Sequence, residues 1–485
     1  MKNLARTTDA FAPPDDPRQA MLRRARQRKS ERGIALIMVL GAIAVLTVLL
    51  AEFQTDTSTD VSAAITDRDS VQAEYMARSA VNLARLLIAA EPTVRQSIMP
   101  LFALMKKSPP QIPLWEYSDQ LLAPFNDQEA AKGFAGTVGI DLSLGKNLGL
   151  SGGRFELVIV DEDAKINVNQ AFSNEIARIR LANEIMGLIA PPQYAPMFEQ
   201  RDATGQFHTR QQICGAVIDW ADTDETGFNC DMTQASAGSA GPEDAYYSML
   251  PVPYRRKNAP YDSLDELHMV RGISEDFWAT FVDPDPNNPK KRVMTVWGQG
   301  SVNVNTANAQ TLLAVVCAGA PQAEVCTDIN QAQTFLTGVT MAQGITMGAP
   351  LFGSANDFVQ TMKGKGQIGP MLSTFGMKPV QFKSDADFAK SVTTESKIFS
   401  VYARGFVSGY KRETKTSIHA VVDFRNAPAL SGGTGLPGLM GGLGGAPAPS
   451  ASASASSKPP NQDPNAIAQA MAPNPGGQIV YFRIE

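Results

Sequence analysis

Residues 34 to 51, IALIMVLGAIAVLTVLLA, run for eighteen positions without a charge, and an arginine-rich stretch lies directly before them. A spanning helix takes roughly 17 to 25 apolar residues, so this run suits a tilted or slightly short membrane span. Arg18, Arg23, Arg24, Arg26, Arg28, Lys29 and Arg32 flank one side only. Positive-inside bias then holds residues 1–33 in the cytoplasm and everything after the span outside. A cleaved secretory signal has an apolar stretch of about 7 to 15 residues closed by a small-residue cleavage site, a break missing here. From Ile34 to Glu91 there is no proline, and Gly41 is the only glycine. This predicts one continuous helix over 34–91, about 57 residues and roughly 85 Å long, apolar in its first third and amphipathic beyond. Val61, Ile65, Met76, Ala80, Leu83 and Leu87 recur at near-whole numbers of turns and predict the stripe that packs against a globular domain.

The remainder reads as an exported ectodomain. A net charge of −5 with 19% charged residues lacks the basic stripe that nucleic-acid binding needs. Four cysteines fall into two sequence-local pairs, Cys214 with Cys230 and Cys317 with Cys326. On the non-cytoplasmic side of the membrane they are expected to be oxidised. Three pairings are possible and local pairing is the expectation; no C-x2-4-C spacing points to zinc.

Along the chain, RFELVIVDEDAKINVNQA at 154–171 starts with strand alternation, stops at Asp161–Asp163 and gives way to a helical pattern. KINVNQA and SVNVNTA form a pseudo-repeat, each a short strand before a capped helix start, and suggest two related lobes of one mainly helical insertion. Residues 396–424 read as a hairpin, and GQIVYFRIE as a returning strand. The Gly/Ala/Pro/Ser tract between them is expected to form a disordered loop over 430–476.

Catalytic patterns fail on context. GLSGG at 149–153 has a strand after it rather than before, and Gly433, Gly435 and Gly438 match G-x-G-x-x-G only inside the low-complexity tract. His208, His268 and His419 have no metalloprotease spacing, and SLDELHMVRGIS lacks the second glycine of a helix-hairpin-helix turn. The acidic residues are different. Asp219, Asp222, Asp224 and Glu225 precede a glycine turn, and Glu243 and Asp244 follow about twenty residues later. Six carboxylates in so short a span repel one another unless solvated or neutralised, and Ca²⁺ takes six to eight oxygen ligands. The spacing is not that of an EF-hand.

ERGIALIMVLGAIAVLTVLLAEF resembles the class III signal of type IV pilins and type II secretion pseudopilins. That resemblance implies cleavage by a prepilin peptidase between Gly33 and Ile34, with N-methylation of Ile34. Most pilins carry glutamate at mature position five; here that position is Met38. A buried carboxylate in hydrocarbon costs about 2.5–3.5 kcal/mol, so it is kept only where a partner subunit lies ahead. VIDWADTDET at 217–226, PEDAYYSMLPVPYRRKNAPYDSLDELHMVRGIS at 242–274 and SVNVNTANAQTLLAV at 301–315 together resemble the K-type minor pseudopilin of type II secretion.

The resemblance implies an α+β fold, with a pilin-like long N-terminal helix packed on a small antiparallel sheet and a large helical insertion. The expected divisions are a leader at 1–33, the helix at 34–91 with its span at 34–51, a pilin-like part at 92–165, the insertion at 166–390 and a second pilin-like part at 391–485. It further implies calcium binding and a single-pass inner-membrane protein with a periplasmic ectodomain. Its implied role is to cap and help initiate a periplasmic pseudopilus, without enzymatic activity. The implied partners are other minor pseudopilins through the N-terminal helix, the prepilin peptidase and the inner-membrane secretion platform. A membrane-anchored minor type IV pilin or an anchored periplasmic enzyme is the competing reading.

Overall fold

The computed structural model describes residues 17–104, 108–126, 153–199, 201, 205–231, 243–346, 348–366, 368–409, 412–428 and 474–485. Helix α1 runs over Pro17–Leu104, and the chain divides into two units, Met1–Asp69 and Ser70–Glu485. In the first, residues 34–51 are exposed along a helix long and apolar enough to cross a membrane. Val61 and Ile65 are exposed too, at 52% and 41%, which corrects the expected packing stripe at its start.

In the second unit the buried face of α1 is Ala73, Met76, Ala77, Ala80, Val81, Ala84 and Ile88, with Leu83 and Leu87 at its margin. The face is alanine-rich because the sheet comes very close: a Cβ added at Gly405 would lie 2.0 Å from the Ala73 carbonyl oxygen and 2.9 Å from Met76 Cβ. The expected end at Glu91 is also corrected, since α1 carries Pro92 and Pro100 inside it. A proline removes one helical hydrogen bond. Tertiary anchors offset that loss. Glu91 is buried, accepts from the Ile112 amide at 3.0 Å and pairs with Arg95 one turn on, and Arg95 also pairs with Glu395.

The sheet is antiparallel in the order β1-β6-β7-β8, from Gly153–Asp161, Ile398–Gly409, Arg412–Asp423 and Gln478–Ile484. Phe155, Leu157, Ile159, Phe399, Val401, Ala403, Ile418, Ala420 and Val422 meet α1 in one core. The fold is α+β. Of GLSGG only Gly153, which opens β1, is described; Gly433, Gly435, Gly438 and positions 430–473 of the expected loop lie outside the described residues.

Between β1 and β6 the chain builds two helical lobes on the pseudo-repeat. Strand β2, Ile166–Asn167, pairs in parallel with β3, Met294–Thr295; β4, Val302–Asn303, pairs in parallel with β5, Val392–Thr393. In each copy the first asparagine side chain, Asn167 or Asn303, accepts from the amide two residues on. The next asparagine ties a distant loop: Asn169 bonds the backbone of Tyr261 and Val296, and Asn305 that of Leu351 and Phe352. Asn174 and Asn308 then cap the helices α2, Glu175–Ile189, and α4, Ala309–Gly319. These two helices cross at Gly187, where a Cβ would lie 2.1 Å from the Ala314 carbonyl oxygen. One disulfide sits in each lobe: Cys214–Cys230, from helix α3, Arg210–Asp219, and Cys317–Cys326, from α4.

Overpacking a close-packed contact typically costs about 1–3 kcal/mol. Gly405→Ala is therefore expected to lower the melting temperature of the folded unit, whereas Gly338→Ala, at a helical glycine with nothing within 4 Å of the added Cβ, is expected to leave it unchanged or raise it. Calorimetry on the two variants checks the pair; equal effects contradict the close α1–sheet approach.

Candidate metal centre

The acidic residues sit where α3 ends. Thr209 caps this helix with a capping box, and its Gly215 faces the Phe228 carbonyl oxygen, which a Cβ would approach to 2.7 Å. That space lets the loop after α3 fold back, and the Cys214–Cys230 bridge closes it. Asp219 fastens the same loop by accepting from the Phe228 amide at 2.7 Å.

One carboxylate oxygen each from Asp219, Asp222 and Glu243 lies within 4.8 Å of the others. Asp222 is 2% exposed and the Glu243 side chain is fully buried. Two arginines enter the cluster. Arg178, from α2, donates to Asp222 at 3.1 Å and to Asp224 at 2.9 Å. Arg256, 6% exposed, pairs with Glu243, lies 3.9 Å from Asp222 and donates to the carbonyl oxygens of Asp219 and Asp224. Asp224 is thus held by Arg178 and by the Thr226 amide, Asp244 is half exposed beside Arg256, and Glu225 is exposed.

Burial pushes the Asp219 carboxyl up to about 8, helped by the neighbouring Asp222 charge and opposed by the Phe228 amide. Burial, then repulsion from Asp224, pushes Asp222 up to about 6 against the pull of Arg178. Asp222 Oδ1 and both Glu243 carboxylate oxygens have no hydrogen-bond partner among the described residues. Arg256 and Arg178 offset part of the cost of burying Glu243 and Asp222, and a bound cation would offset the rest. The donor set is oxygen only, which suits a hard divalent cation such as Ca²⁺ rather than a thiolate- or imidazole-bound metal. The residues fit such an ion: Asp219, Asp222 and Glu243 would hold it, with Arg178 and Arg256 neutralising the rim.

Neither arginine was marked by sequence pattern. Arg178 lies 44 positions before Asp222, and Arg256 belongs to a YRRKN run whose neighbours give no sign of burial. The three histidines pack separately: His208 beside Arg271, His268 stacked 4.0 Å from Trp278, and His419 stacked 4.2 Å from Tyr402. SLDELHMVRGIS forms a packing turn, with Ser263 and Glu266 in a capping box and Gly272 against Ile213.

A carboxyl whose folded pKa is raised holds a proton that the unfolded chain, near 4, has already released. Stability is therefore full below about pH 4 and is lost progressively as pH rises through the folded values of about 6 and 8. In chelator, the wild-type chain is expected to lose more melting temperature between pH 5 and 9 than the double variant Asp219→Asn/Asp222→Asn. Parallel pH profiles for the two contradict the assignment.

Residues 202–281, which contain this cluster apart from Arg178, match a family model described as Type II secretion system (T2SS), protein K. Type II secretion system protein K of Aeromonas hydrophila is 28% identical over 169 residues, 33% of this chain and 46% of that protein, so the match spans less than half of the relative's length. A chain from the crystal structure of the GspK–GspI–GspJ complex of the enterotoxigenic Escherichia coli type 2 secretion system is similar at a TM-score of 0.36 and 14% identity, over 56% of this chain and 76% of that one.

Proposed function

We propose that this chain, a member of the protein K family of type II secretion by its domain at 202–281, caps and helps initiate a periplasmic pseudopilus. The observation that carries this reading is the junction of that domain with an exposed apolar helix fit to cross a membrane. In this reading residues 34–51 anchor the chain in the bacterial inner membrane and the ectodomain lies in the periplasm. The prepilin peptidase removes residues 1–33 after Gly33, and Ile34 becomes the methylated terminus. Met38 stands where a shaft subunit carries glutamate, so no subunit ahead is needed. The two helical lobes add bulk suited to an end position rather than a repeating one. The exposed first part of α1 meets the helices of other minor pseudopilins and the inner-membrane platform.

Calcium completes the domain in this reading. Asp219, Asp222 and Glu243 would hold the ion, which would add positive charge to that of Arg178 and Arg256 at the cluster. The chain acts by assembly and carries out no reaction.

In a secreting strain, mass spectrometry is expected to find methylated Ile34 at the mature terminus. Cysteine crosslinks from α1 are expected to capture other minor pseudopilins at one end of the assembly. Retention of residues 1–33, or recovery of this chain along the whole shaft, overturns the reading.

A further inference from the structure

Of the three basic residues in the YRRKN run, Arg256 alone enters the acidic cluster. Arg255 is exposed, and Lys257 turns away to pair with Asp262 and Glu266. The backbone helps to hold this arrangement. Asn258 has a positive φ of 50°, and its amide donates to the Trp220 carbonyl oxygen at 3.0 Å, which fastens the run to the end of α3. Asparagine tolerates that left-handed conformation better than most side chains. Arg256, two residues earlier, lies only 6% exposed beside the loop that follows α3.

Its guanidinium meets an oxygen of each of five residues. It donates to the Asp219 carbonyl oxygen at 3.1 Å and to that of Asp224 at 2.8 Å. It also pairs with Glu243, lies 3.9 Å from Asp222 Oδ1 and has Asp244 Oδ1 at 3.4 Å from its Nε. Carbonyl and carboxylate oxygens are the ligands that Ca²⁺ takes. Asp222 and Glu243 are also two of the three residues whose oxygens lie within 4.8 Å of one another. Arg178 is placed differently. Its side chain is 18% exposed and it donates to Asp222 Oδ2 and Asp224 Oδ2, which leaves Asp222 Oδ1 on the side of Arg256.

A guanidinium and a divalent ion compete for such oxygens. Ca²⁺ needs its ligands at about 2.3–2.6 Å, and the carboxylates cannot close on it while a like charge lies among them. The long arginine stem can give way, and Asp244, its side chain 47% exposed, offers the guanidinium a partner further out.

We propose that Arg256 is a built-in stand-in for the divalent ion. It closes the cluster while calcium is absent, and it exchanges with calcium by swinging out from Glu243 and Asp222 to Asp244 at the rim, where it stays. This exchange rests on the calcium reading above and adds what keeps the site closed between ions. The domain thus stays folded without the ion, and its apparent calcium affinity is scaled down by the fraction of metal-free molecules in which the arginine is already out.

The test is titration calorimetry with Ca²⁺, together with melting in chelator, on the purified full-length chain in detergent as wild type, Arg256→Gln and Arg256→Lys. With the arginine out in about a tenth of metal-free molecules, Arg256→Gln is expected to lower the calcium dissociation constant about tenfold. The same variant is expected to melt at a lower temperature in chelator, whereas loss of a merely supporting residue weakens folding and calcium binding together. Arg256→Lys keeps the charge and is expected to stay near the wild-type dissociation constant. A second reading needs no substitution. p-Hydroxyphenylglyoxal, which modifies accessible arginines, is expected to label Arg256 in Ca²⁺ and not in chelator, and the exposed Arg255 in both, as located by tandem mass spectrometry. Calcium binding with an unchanged or raised dissociation constant in Arg256→Gln, or an Arg256 equally protected with and without calcium, overturns the exchange and leaves the calcium reading standing. No calcium binding by either wild type or Arg256→Gln overturns that reading itself.

Discussion

Burial of carboxylates is the constraint around which the folded unit is organised. Where the chain leaves β1, Asp161, Glu162 and Asp163 are all buried. Asp163 accepts from the amides of Gln299, Lys397 and Ile398, and Asp161 from the hydroxyls of Thr306 and Ser396. Glu162 takes Lys165 and the Thr295 hydroxyl. These bonds join the departure from the sheet, the passage between lobes and the return to β6 at one place. A net hydrogen bond contributes about 0.5–1.5 kcal/mol, and together these bonds tie both lobes to the sheet. The cluster at Asp219, Asp222 and Glu243 faces the same physics with a different outcome: arginines pair with Asp222 and Glu243, and three of its oxygens accept no hydrogen bond among the described residues.

The lobes themselves repeat one solution. Each opens on a two-residue parallel strand, turns on an asparagine, anchors a far loop with a second asparagine and starts a capped helix. Gly187 brings the two helices together, and each lobe holds one disulfide closing a loop of 16 or 9 residues. In the chain-entropy model a loop of that size contributes about 3 kcal/mol. The bridges thus reinforce loops that the helices alone leave long.

Much of this was legible in the sequence where a pattern is local. The apolar run, the hairpin of β6 and β7, the strand β8 and the asparagine repeat are all set by neighbours within a few residues. Long-range terms overrode the rest. Pro92 marks a helix end by local rules, but Glu91 and Arg95 anchor the turn to Ile112 and Glu395 and carry the helix on. Periodicity favoured Val61 and Ile65, whereas the close approach at Gly405 selects alanines further along. Within residues 341–395 no period is legible in the sequence, since helices such as Ala355–Met362 and Asp385–Ser391, each capped by a serine, are short. At the acidic cluster the carboxylates were visible, and the two arginines that sort them were not.

We propose that a divalent ion closes the cluster beside the Cys214–Cys230 loop. Thermal melts of the protein in Ca²⁺, in Mg²⁺ and in chelator measure it most directly. A ligand at a hundred times its dissociation constant adds about 2.7 kcal/mol to the folded state. The account predicts a higher melting temperature in Ca²⁺ than in chelator, a gain abolished by Asp222→Asn and retained by replacement of the exposed Glu225 with glutamine. Identical melting temperatures in all three conditions, or an undiminished calcium gain in Asp222→Asn, would contradict it.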